Sequence, residues 1–227
     1  MMLWTTPMAG ALFLLAFSMF PNFHPPMSPT LTPEEVAVFF RDHVASIRGV
    51  VILCNIISAA LVPLFAVIAV QMLRVINSSS VFAYSYLLCV GTGVTAFILA
   101  DYCWGIAIFR PERDPQLISL LNDMAWFFFV APVGLVAVQN LCLAMSIYLD
   151  ASSVPVFPRW VAHFNVLTAI LMLPGAFAFL HKTGPLAWNG SLSFSLRLVT
   201  FSVYVAVMFF ALLPIVRTQV EHEGVAA

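Results

Sequence analysis

Residues 81–109 read VFAYSYLLCVGTGVTAFILADYCWGIAIF, a run in which Asp101 carries the one formal charge. A helix rises about 1.5 Å per residue, so a helix of this length exceeds the ~30 Å hydrocarbon layer of a membrane. In lipid, backbone N–H and C=O groups must be satisfied within the segment, which a helix achieves and a lone strand does not. The run predicts a membrane-spanning helix.

Runs of the same kind flank it: Leu3–Phe20, Ile47–Val75, Ile118–Tyr148, Trp160–His181 and Leu192–Val216. Turn chemistry separates them at Asn77 to Ser80, Arg110 to Pro115, Asp150 to Pro158 and Thr183-Gly184-Pro185. Composition agrees with this reading. Hydrophobic residues are 62% of the chain and charged residues 8%, against roughly half and a quarter in soluble domains. The expected fold is all-α, a polytopic transmembrane bundle of six helices forming one domain over 1–217, with a short polar tail at 218–227. The first run lacks a basic leading segment and a small-x-small cleavage pattern, so it reads as a helix rather than a removed signal.

Net charge is −1, and no basic stripe is present to neutralise phosphates, which excludes nucleic acid as a partner. Cys54, Cys89, Cys103 and Cys142 all fall inside apolar runs without CxxC spacing. They read as small hydrophobes, and neither a disulfide framework nor a zinc site is implied. The expected location is a cell membrane, with lipids as the first partners. Orientation follows from the basic residues outside the spans. Arg41, Arg48, Arg110, Arg113 and Lys182 share one face, against Arg74, Arg159 and Arg217 on the other, which places the Arg110–Arg113 loop inside the cell.

Between the first two spans, Thr32 and Glu35 have capping-box spacing, and Pro33 suits the first helical position. Val36, Phe39, Phe40, Val44 and Ile47 recur at helical spacing opposite Glu34, Glu35, Arg41, Asp42 and Arg48. This predicts an amphipathic interfacial helix over 33–46, acting either as a cap on the bundle or as a lid.

Four strings, SPTLTPEEVAVFFRDH (28–43), LLNDMAWFFFVAP (120–132), VFPRWVAHFN (156–165) and KTGPLAWNG (182–190), together resemble a group of small bacterial six-helix integral membrane proteins. The resemblance runs from about Ser28 to Arg217. It implies a bacterial membrane protein and carries over no activity and no catalytic residue.

Charged groups deep in a span are costly and normally find partners. Asp101 lies ~9 Å, and Arg197 ~11 Å, from the middle of its run at the helical rise. Chain direction puts both in one half, with Asn55 and Asn122 at similar depth, so an Asp101–Arg197 ion pair is expected. Asp101 and Asp123 are the candidate general acids. Trp104 and Trp126 lie one turn from those acids and are candidate walls of a ligand site, beside Phe127, Phe128 and Phe129. Gln139, Asn140, His163 and Asn165 form a second polar group, for which interhelical hydrogen bonding is the default. The histidines show no metal-ligand spacing, so no metal and no cofactor is implied.

Pro63, Pro132 and Pro174 fall near the middles of three spans, with Gly134 and Gly175 close by. Each proline removes a backbone donor and frees a carbonyl, which suggests a cavity between kinked helices. No soluble catalytic motif is present. The leading reading is an integral membrane protein that binds a lipophilic small molecule in that cavity. Three alternatives stand beside it: an acid–base enzyme on a terpenoid or sterol-like substrate, a proton-coupled carrier or channel using Asp101, Arg197 and His163, and a subunit or assembly factor of a membrane complex. A homo-oligomer or a membrane partner is compatible with each.

Overall fold

The computed structural model describes residues 2–225, with side chains from Leu3 to Gln219, and no strand occurs among the described residues. Five apolar helical segments are long enough to cross a membrane. The first joins α3 (Val44–Ile57) and α4 (Val62–Leu73), and the second is α5 (Ser80–Phe109). The third joins α6 (Pro115–Val130) and α7 (Val133–Tyr148). The fourth is α8 (Arg159–Met172) with its 3₁₀ continuation Leu173–Phe179, and the fifth is a π-helical turn Ser191–Ser195 running into α9 (Leu196–Val225). The first apolar run forms α1, Thr5–Met19, a helix of 15 residues. That is about 22 Å, shorter than the hydrocarbon layer.

The prolines account for the interruptions. Pro63 opens α4 after the break at residues 58–61, Pro132 caps α7 after the break at Ala131, and Pro174 sits in the 3₁₀ segment. Pro174 therefore lies towards the end of its span, not at the middle. Gly175 follows it because the chains pass closely there: a Cβ would stand 2.8 Å from the Val130 oxygen and 2.9 Å from Val133 Cγ1.

The helix between the first two runs is α2, Pro33–Asp42. Thr32 Oγ1 accepts from Glu35 N at 3.3 Å, and Glu35 Oε2 accepts from Thr32 N at 2.8 Å, so the capping box forms as read. Val36, Ala37 and Phe40 are buried, whereas Glu34, Glu35 and Arg41 are exposed. The helix ends four residues before the expected 46, because His43 adopts a non-helical backbone and Val44 opens α3. At the other terminus α9 carries helical backbone to Val225, through most of the expected polar tail, and residues 226–227 lie outside the described residues.

The core divides into two apolar clusters. One gathers Phe20, Phe23, Trp104, Trp126 and Phe194 at the end of the bundle that carries α2. The other gathers Leu3, Leu64, Tyr86, Tyr204 and Leu212 towards the opposite end. Polar links tie the loops at each end. At the α2 end, Arg41 Nε donates to Pro111 O at 3.0 Å and Trp188 Nε1 to Met27 O at 2.9 Å. At the opposite end, Ser78 Oγ donates to Ser146 Oγ at 2.9 Å, and Gln71 Nε2 to Gln219 Oε1 at 2.9 Å.

Candidate functional site

Asp101 faces α3 from the α2-end half of α5. It is 3% exposed, and its Oδ2 is buried without a hydrogen-bond partner. Between α3 and α5 runs a groove of about 560 Å³, lined by Asn55 and three aliphatic side chains of α3 and by Asp101, Tyr102, Gly105, Ile106 and Phe109 of α5. Arg113, in the loop after α5, completes the lining. Gly105 sets the close approach of the two helices, since a Cβ there would lie 3.2 Å from Val51 Cγ1. The groove opens on the outer surface: Asn55 is exposed, Ile52 is 55% exposed and Ile56 75%. In a membrane that surface is the lipid-facing one. The deep end adjoins the α3–α4 break, which begins two residues after Ile56.

The expected ion pair does not form. Arg197 is half-buried, and its Nη1 donates to the backbone oxygen of Val130. Val130 is the last residue of α6, so its carbonyl is one of those a helix end leaves without an intrahelical partner. The arginine is thus held by the helix break at Pro132 and contributes nothing to the groove. Asn122, 2% exposed on α6, does not line the groove either.

The two tryptophans are core, not walls. Trp104 and Trp126 meet edge to face, 4.9 Å between ring centroids at 74°. Phe20 lies 5.0 Å from Trp104 and Phe194 5.8 Å from Trp126. Neither indole lines the groove. Both Nε1 donors are nevertheless buried without a partner, as is the Asn122 Oδ1 acceptor. With Asp101 Oδ2, this half of the core holds two orphaned donors and two orphaned acceptors. A buried polar atom left this way costs about 1–3 kcal/mol. Asp123 sits one residue beyond Asn122, half-buried on α6, and is not part of the groove.

The second polar group is rearranged. Asn140 and Asn165 are fully buried, and each Nδ2 donates at 2.8 Å to a carbonyl one turn earlier, Val136 O and Val161 O. Asn165 Nδ2 also reaches Met208 Sδ at 3.8 Å. Gln139 Nε2 donates to Tyr204 OH at 3.5 Å, and Tyr204 OH lies 2.9 Å from Tyr86 OH. His163 leaves the group: it is exposed, its Nδ1 is 2.9 Å from Arg159 O, and its ring packs on Tyr148. Two residues from Asn165 on a helix is the opposite face. Tyr86 and Tyr204 are the members the sequence reading missed. Tyr204 stands at the middle of the last run, far from any interface, and that depth was the available signal.

Comparison with known proteins gives no match to this chain among family models, curated proteins or solved structures.

Proposed function

We propose that this chain is an integral membrane protein that holds a lipophilic small molecule in the groove between α3 and α5. One observation carries the reading: a nearly buried carboxyl, Asp101, lines an open channel of about 560 Å³ in a largely apolar surface. Binding sites of this kind combine mostly apolar walls with a few polar anchors. A hydroxyl or N–H on the ligand meets the Asp101 carboxyl where it lines the groove, and the aliphatic side chains of α3 receive the rest.

The same proposal includes six membrane crossings and an interfacial α2. The 3₁₀ turn Met2–Trp4 extends α1 to about 28 Å. Leu3 packs in one core cluster while Phe20 packs in the other. The charged outer face of α2, above a buried Val36–Ala37–Phe40 strip, suits the membrane boundary. The four motif strings favour a bacterial cell membrane.

Full-length protein purified in dodecyl maltoside tests the binding reading. Organic extraction and mass spectrometry should recover a lipophile at about one per chain from the wild type. Ile52→Trp fills the groove from its exposed side and should lose that lipophile while still purifying as a folded, monodisperse protein. Equal recovery from both proteins would refute the reading. So would crosslinking that shows a second copy of the chain covering the groove.

A further inference from the structure

We propose that the ligand of the α3–α5 groove is an anionic amphiphile, its charged head on Arg113 at the rim and a hydrogen-bond donor on its chain meeting Asp101 and Asn55 below. This rests on the binding reading above and adds the chemistry of the ligand.

The groove is chemically graded along its length. Arg113 belongs to the loop, yet its side chain turns back along α5, where Nη1 donates to Ile106 O at 3.2 Å. Among the described residues this is the contact that fixes it, and no carboxylate pairs with it. A guanidinium carries five N–H donors, so this bond leaves most of them for a ligand. Carboxylate and phosphate heads both match that fork, often through two parallel bonds.

Five residues separate Ile106 from Asp101, about 8 Å along the helix. Over that distance the lining is Tyr102, Gly105 and Ile106 of α5 with the aliphatic side chains of α3, apolar apart from the tyrosine hydroxyl, which suits a methylene chain. At the deep end the Asp101 carboxyl lines the groove, and the Asn55 amide stands on the facing helix. A bare alkyl chain laid over that carboxyl would desolvate it without a hydrogen bond. A hydroxyl at this depth donates to it, with Asn55 able to donate to the hydroxyl oxygen in turn. A cationic head would be repelled at the rim, and a neutral head would gain little from Arg113.

Direct binding to delipidated full-length protein in dodecyl maltoside separates these terms. The probes are 10-hydroxystearate, 10-hydroxyoctadecyl phosphate, stearate and 1,10-octadecanediol. Both hydroxylated anions should bind about tenfold tighter than stearate or the diol, the factor expected of one hydrogen bond to a charged group. Their relative affinity identifies a carboxylate or a phosphate head as the natural one. Arg113→Gln should weaken both anions about tenfold and leave the diol unchanged. Asn55→Leu, at an exposed position, should reduce but not abolish the advantage of 10-hydroxystearate over stearate, because the bond to Asp101 remains. The inference is overturned if the diol matches 10-hydroxystearate, if stearate matches it, or if Arg113→Gln changes none of the affinities. Binding of the diol and stearate without any of these distinctions would leave the wider reading standing, whereas failure of all four probes to bind would remove both.

Discussion

Arg197 shows how a deep charge finds its partner. Its depth and its half of the bundle were legible in the sequence, and so was a helix break at the mid-span Pro132. That the two belong together was not, because an unpaired backbone oxygen leaves no mark on residue identity. An acid in the same half was the visible alternative, and Asp101 instead lines the groove between α3 and α5. The two residues should therefore act independently. Arg197→Gln removes a charged hydrogen bond to Val130 O and should cost about 2 kcal/mol. In a double-mutant cycle with Asp101→Asn, read by thermal melting in detergent, the two effects should add to within about 0.5 kcal/mol. A coupling well above that would mean that the ions meet after all.

At the scale of elements, local chemistry was readable and long-range packing was not. The start of α2 is set by Thr32, Pro33 and Glu35, three neighbours whose spacing is itself the motif, and it forms as the sequence predicts. Removing the cap oxygen with Thr32→Ala should destabilise the protein by about 1 kcal/mol, with Thr32→Ser nearly neutral. An unchanged melting temperature for the alanine variant would show that packing against α6 alone holds the helix. The extent of α2 was less legible, since apolar spacing continues through Val44 and Ile47 while the backbone turns at His43. The loop after α7 is held in a comparable local way by Asp150, whose carboxylate accepts from Ser152 N at 3.0 Å, from the Ser152 hydroxyl and from Val156 N at 3.2 Å. Partial burial pushes this acid up, but those three donors outweigh it and hold it below its ordinary 3.8. Its contribution is complete above that ordinary value and is lost as pH falls through the lower folded one. The melting temperature of the wild type should thus drop more steeply than that of Asp150→Asn between neutral pH and about pH 3. Parallel curves would place the acid sensitivity elsewhere.

Over the whole molecule, the apolar runs and their turns were legible because a helix long enough to cross a membrane needs an uninterrupted apolar run of matching length. The groove was not, because it depends on which faces of α3 and α5 meet. The standing of α1 is also a whole-molecule matter. Its helix is short, yet Trp4 packs 5.6 Å from Phe209 near one end of the bundle while Phe20 packs on Trp104 near the other. A helix lying on one surface would not reach both clusters. If α1 crosses along with the five longer segments, the chain makes an even number of passages and its two termini share a side, opposite the loop at Glu112. With the native cysteines replaced by alanine, single cysteines at Trp4, Glu112 and Thr218 can be tested in intact cells with a membrane-impermeant maleimide. Trp4→Cys and Thr218→Cys should label alike, and Glu112→Cys oppositely. If Trp4→Cys instead labels with Glu112→Cys, α1 does not cross, and the basic residues must be recounted with only five passages fixing the orientation.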